Sequence, residues 1–140
     1  MRGSPRGWRL RRAVFDTSAL MLAVEGIPVF ELVEEALGTI PECIVLPQVR
    51  EELERHASSK SMRKRVAARL ALRLIEARGC REPDFRVEGL ADDAIVEYVK
   101  RDREAIAVTA DRGLHRRLLQ LGIPHLYYRE EGRRFEAAGV

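Results

Sequence analysis

Two short apolar runs each end in an aspartate: Ala13-Val14-Phe15-Asp16 and Ala105-Ile106-Ala107-Val108-Thr109-Ala110-Asp111. Each run reads as a buried strand. In an open α/β sheet, ligands bind in the crevice outside the carboxyl ends of the strands, so Asp16 and Asp111 are expected to face one crevice. Glu52 falls about one turn into a helix that follows a second strand, and Asp92-Asp93 opens a helix that precedes a late one. Four of the chain's six aspartates stand at such junctions, which is more than chance placement of surface acids suggests. A single acid in a helix's first turn merely offsets the helix dipole. A set of carboxylates facing one space repels itself unless a proton or cation holds it. Oxygen-only donors suit Mg²⁺ or Mn²⁺ rather than zinc, and such ions assist the hydrolysis of phosphate esters.

Other chemistries find no support. The chain has no G-x-x-x-x-G-K-[ST] loop and no G-x-G-x-x-G, so nucleotide cradling is not indicated. It has no G-x-S-x-G elbow. A phosphatase using an aspartate nucleophile would carry a second aspartate two residues after the first, where Ser18 stands. His56, His115 and His125 lack zinc-ligand spacing, and Cys43 and Cys80 belong to no C-x-x-C pair. Cys43 reads as a small buried hydrophobe, and no disulfide framework is expected.

The elements that must position these acids alternate in type. Strands are expected at Arg11 to Phe15, Glu42 to Leu46, Ala105 to Thr109 and Pro124 to Tyr128, with a short one at Phe85 to Val87. Helices are expected from Thr17 or Ser18 to about Val24, over Val29 to Leu37, from Pro47 to about Ala57, from Met62 to about Ala77, over Leu90 to Arg101 and over Arg112 to Leu121. Alternation of this kind predicts a three-layer α/β/α sandwich with a mainly parallel central sheet of four to five strands. The chain of 140 residues, 46% hydrophobic, fits one domain spanning 1–140, with a basic stretch at 1–10 and a polar, fraying tail at 130–140.

Net charge is +3, and it is unevenly spread. Arg55 to Ile75 holds seven basic residues and no acid. Lysine occurs only at Lys60, Lys64 and Lys100, which leaves 22 arginines among the 25 basic residues. Arg65, Arg69 and Arg73 form a stripe on one helix, which reads either as a solvated face or as a clamp for single-stranded RNA. Trp8, Tyr127 and Tyr128 are candidates for base stacking, although the tyrosines also fit a strand with one ring in and one out. No window approaches the ~20 apolar residues of a membrane span. The arginine-rich start lacks the apolar stretch of a signal peptide, and a cytoplasmic location is expected.

Four segments then resemble the PIN domain, a family of metal-dependent ribonucleases: Val14-Phe15-Asp16-Thr17-Ser18-Ala19-Leu20, Pro47-Gln48-Val49-Arg50-Glu51-Glu52-Leu53, Ala91-Asp92-Asp93-Ala94-Ile95 and Val108-Thr109-Ala110-Asp111-Arg112. Leu121 to Tyr128 is similar to the family's last strand. The resemblance implies Mg²⁺ or Mn²⁺ held by the catalytic acids Asp16, Glu52, Asp93 and Asp111, with Asp92 assisting through water. It implies that Thr17, Ser18 and Thr109 orient those carboxylates; Arg65, Arg69 and Arg73 of the basic stripe, with Arg112, are the candidate RNA contacts. Ala110 departs from the family's usual asparagine, and Gly113 stands where some members carry a further acid. The implied activity is endoribonuclease cleavage, either as a VapC-type toxin with an antitoxin partner or as an RNA-processing nuclease. A non-catalytic RNA-binding module is the alternative. A homodimer is a further expectation, with the Phe30, Val33 and Leu37 face as a candidate contact, although core packing is the use this face fits better.

Overall fold

The computed structural model describes residues 11–139. The basic stretch at 1–10, with Trp8, lies outside them. Strands β1 (Arg12–Phe15), β2 (Glu42–Ile44), β3 (Ala105–Thr109), β4 (His125–Arg129) and β5 (Arg134–Ala138) form one sheet in the order β2-β1-β3-β4-β5. The first four are parallel and β5 runs antiparallel to β4. Six helices surround the sheet: α1 (Thr17–Met21), α2 (Val29–Leu37), α3 (Pro47–His56), α4 (Met62–Ala77), α5 (Ala91–Arg101) and α6 (Arg112–Gln120). Leu22–Glu25 continues α1 as a 3₁₀ turn. The α/β sandwich expected from the alternation of elements is the observed fold.

Strand order decides where a site can form. From β1 the chain moves one way to β2 and then returns across the sheet to β3, so the order reverses between β1 and β3. A crevice opens at such a switch point, at the carboxyl ends of the strands. β3 is buried along its whole length, consistent with its uninterrupted apolar sequence in a parallel sheet covered on both faces.

Three expectations are corrected. Phe85 to Val87 is not a strand: the chain there is irregular, and the β2 edge is extended instead by an isolated bridge between Ile44 and Arg81. The tail does not fray, because Arg134–Ala138 turns back and pairs with β4, burying Phe135 against Tyr128. Cys43 is not a lone hydrophobe, since it forms a disulfide with Cys80. Cys80 follows α4 and the left-handed turn at Gly79, which swings the chain back to the β2 edge, where Arg81 N donates to Cys43 O. The return path could not be read from two cysteines 37 residues apart.

Other packing bears on the functional expectations. Phe30 and Val33 sit in the core, Phe30 against Phe15, so the face proposed for a homodimer is largely inside the domain. Arg12 at the start of β1 makes two hydrogen bonds to Asp102, at 2.7 and 2.9 Å, and Tyr98 donates its hydroxyl to the same carboxylate. This network lies at the opposite strand ends from Asp16 and locks α5 to β1 and β3.

Candidate metal site at the switch point

Asp16 follows β1 directly, and its backbone N–H reaches across to Val108 O of β3. That bond ties the end of β1 to the end of β3 and points the Asp16 side chain into the crevice between them. Asp16 is 4% exposed. Ser18 Oγ and Thr109 Oγ1 both donate to its Oδ2, at 2.8 and 2.9 Å. The two hydroxyls work in both directions. Ser18 Oγ accepts from Ala110 N, and Thr109 Oγ1 accepts from Asp111 N. They therefore fix the loop that carries Asp111 while they orient Asp16. Burial pushes the Asp16 carboxyl up to about 6, the hydroxyl hydrogen bonds pull it partly back, and the negative charge of Asp92 raises it further.

Glu52 is brought in by α3. Pro47 starts this helix at its first turn, where the missing N–H costs nothing. Val49 and Leu53 bury one face, and Glu52 then projects toward α1, where Thr17 Oγ1 donates to its Oε1 at 2.7 Å. His56, one turn further along, places Nε2 3.8 Å from Glu52 Oε2. Asp111 caps α6 by accepting from Leu114 N at 2.8 Å with Oδ2. A Cβ on Gly113 would come within 3.2 Å of that same oxygen, so this turn favours a residue without one.

The aspartate pair on α5 divides. Asp92 is raised above the ordinary carboxylate range, first by burial and then by the charges of Asp111, Glu52 and Asp93, with Arg117 acting in the opposite sense. Asp93 instead accepts from Arg117 Nη1 of α6 at 2.6 Å. Neighbouring residues on a helix point about 100° apart, so only one of the two can face the crevice squarely. The expectation that Asp93 leads and Asp92 assists is therefore not what the packing favours. Asp92 is the member electrostatically joined to Asp16, Glu52 and Asp111, and Asp93 is held by an arginine.

The structure thus brings Asp16, Glu52, Asp92 and Asp111 to one crevice, with Thr17, Ser18 and Thr109 bonded to the carboxylates or their loops. Of the expected RNA contacts, Arg112 follows Asp111 directly and opens α6 beside the crevice, and Arg73 lies on α4, whereas Arg65 Nη1 donates to Ser59 O and Arg69 Nε to Ala57 O, carbonyls that follow α3. Tyr127 is stacked on the His115 ring at 3.8 Å, with the Arg129 guanidinium 5.0 Å from its centroid. Tyr128 is buried. Sequence reasoning missed His56 and Arg117. The i, i+4 spacing from Glu52 to His56 was the available signal for the first, whereas the pairing of Arg117 with Asp93 exists only across α5 and α6.

A hard-cation fit can be judged from the donors. All are carboxylates, two of them, Asp16 and Asp92, desolvated and pushed up by like charges, which is the electrostatic signature of a site that gains from a cation. Among the described residues no three acidic, histidine or cysteine side chains close into a ready-made cage. Mg²⁺ keeps several waters and binds through one or two carboxylates, so an open set suits it.

The model of the PIN-like domain family matches residues 13–131, which takes in all of these carboxylates. The chain belongs to the PIN-like domain family. Among curated relatives, ribonuclease VapC4 of Methanocaldococcus jannaschii is 30% identical over 108 residues, covering 77% of this chain and 81% of that one. Ribonuclease VapC9 of Archaeoglobus fulgidus is 30% identical over 138 residues, covering 93% and 92%. Among solved structures, the PIN domain endonuclease Utp24 superposes with a TM-score of 0.71 over 94% of both chains at 22% identity, a likeness of fold.

Proposed function

We propose that this PIN-like protein is a divalent-metal-dependent endoribonuclease. The observation that carries the reading is the meeting of Asp16, Glu52, Asp92 and Asp111, from four separate stretches, at the β1/β3 switch point. Two relatives bear the name ribonuclease, which supplies the substrate class. Asp16, Glu52, Asp92 and Asp111 would hold Mg²⁺ or Mn²⁺, with Asp93 at the rim. Bound there, the ion supplies Lewis acidity for water activation and for the charge that builds on the leaving oxygen. The protein's own contribution is orientation. Ser18 and Thr109 hold Asp16, Thr17 holds Glu52, and the α6 cap holds Asp111. His56 stands beside Glu52, with Nε2 3.8 Å from Oε2.

The VapC relatives favour a toxin role with an antitoxin partner over an RNA-processing role, and a small antitoxin frame beside the gene would support it. Among the described residues no helix is long and apolar enough to cross a membrane, and a cytoplasmic location remains part of the proposal. The test compares wild type with Asp16→Asn on a generic RNA in Mg²⁺, Mn²⁺ and EDTA. Cleavage by wild type alone, abolished by chelation, is expected. Equal cleavage by the variant, or cleavage that survives EDTA, overturns the reading. RNA binding without cleavage in either metal would favour the non-catalytic alternative.

A further inference from the structure

Beside the acidic crevice lies a cleft of about 670 Å³ between α5, α6 and the loop at Arg86 to Glu88. Asp93 and Arg117 line it as a hydrogen-bonded pair, and Asp93 adjoins Asp92 of the crevice. Its volume falls within the range of sites that take one small organic ligand. Four cations line it: Arg86 from the loop, Lys100 and Arg101 from α5, and Arg117 from α6. Among the described residues, only Arg117 of these four is ion-paired, and Arg101 lies over the Phe85 ring at 4.4 Å. Val96 and Leu121 give the cleft an apolar surface, and Leu121 is half exposed. The wall is fixed rather than loose. Gln48 Nε2 donates to Val87 O at 2.7 Å, and Gln48 stands on the same helix as Glu52. The helix that brings a carboxylate to the crevice therefore also sets the cleft beside it.

We propose that this cleft seats the nucleotide next to the cleaved bond. Arg86 and Lys100 take its phosphate, and Arg117, at the junction, exchanges Asp93 for the phosphate that bridges into the crevice. This deepens the ribonuclease reading and rests on it. Single-stranded RNA is the form that fits. Glu88 and Glu97 interrupt the positive surface, so it does not match the dense charge of a duplex, yet their oxygens accept from the N–H edge of an unpaired base. The stripe on α4 is a poorer candidate, because two of its arginines already serve carbonyls of the chain.

The experiment measures binding of a short fluorescent single-stranded RNA to Asp16→Asn protein, between about 50 and 200 mM NaCl. Each phosphate no longer neutralised reduces the steepness of log K against log salt by about 0.7 for a single strand, so Arg86→Gln with Lys100→Gln, which together hold one phosphate, should reduce it by about 0.7. In the otherwise wild-type enzyme the same pair should raise KM and leave kcat within about twofold, since uniform binding is what is lost. The control pair Arg63→Gln with Arg134→Gln removes equal charge far from the cleft and should leave the slope unchanged. An unchanged slope and KM in the cleft pair, an equal fall in the control pair, or duplex RNA bound as tightly as the single strand each overturn the cleft. Cleavage by wild type keeps the nuclease reading standing in all three cases. A wild type that cuts no RNA in either metal overturns both.

Discussion

Asp16→Asn should inactivate the enzyme and stabilise the metal-free fold at the same time. Asp16 is buried and its carboxyl is raised from 3.8 to about 6. A carboxyl that holds its proton more tightly folded than unfolded supports the fold below about pH 4. It loses that support as pH rises through about 6. At about 1.4 kcal/mol per pH unit, ionised Asp16 costs the fold roughly 3 kcal/mol at pH 7. The amide carries no charge and can still accept from Ser18 and Thr109 through its oxygen, but its N–H₂ must find partners, so a net gain of roughly 2 kcal/mol is expected. With unfolding entropy of ~2.1 cal/mol/K per residue, that corresponds to a rise in Tm of about 7 °C. Thermal melts of both proteins in EDTA, from pH 4 to 8, read the difference directly, and taking the difference cancels every other titrating group. The gain should be full at pH 7, shrink to about a third at pH 5 and vanish between pH 4 and 5. Added Mn²⁺ should raise the Tm of wild type alone, because a ligand of the folded state stabilises it by mass action. A variant less stable than wild type at pH 7, or a gain indifferent to pH, would refute the claim that desolvation dominates at Asp16.

Three other outcomes are expected. Asp92→Asn should lower RNA cleavage by more than about 100-fold and Asp93→Asn by roughly 10- to 100-fold, the scale of residues that act through a neighbour, measured as kcat/KM; the reverse order would return the leading role to Asp93. Breaking the Cys43–Cys80 bond with the double Cys43→Ala, Cys80→Ala variant frees a loop of 37 residues, worth about 4 kcal/mol by loop entropy and over 10 °C in Tm; a melt within about 2 °C of the oxidised protein would show that the bond adds little. His115 and His125 are both pushed below their ordinary range, chiefly by burial, while His115 Nδ1 meets His125 Nε2 at 2.8 Å and His125 Nδ1 meets Ile123 O. Their support is present above pH 6.5 and is lost as pH falls below it, so amide exchange in α6 should quicken on acidification, and no change in α6 would count against the pair.

The sequence by itself determined most of the elements and marked the candidate acids, whereas β5, the irregular chain at 85–87 and the choice between Asp92 and Asp93 were not legible in it. Strand residues such as Ala105 to Thr109 are an uninterrupted apolar run, helices such as α3 begin at a proline, and Asp16 and Asp111 are marked by the strands they end. These are local signals, set by period, capping and burial within a few residues. The strand order 2-1-3-4-5 decided which acids meet, and that order depends on how crossovers pack over the whole sheet. Tertiary contact also decided three details that no local pattern carries. Arg117 on α6 pairs with Asp93, which leaves Asp92 to the crevice. Arg65 and Arg69 are taken up by the Ser59 and Ala57 carbonyls that follow α3. Cys80 returns to Cys43 only because Gly79 turns the chain back to the β2 edge. In each case a charged or reactive side chain could have met several partners, and the choice belongs to the fold, because it depends on distances between residues that are remote along the chain.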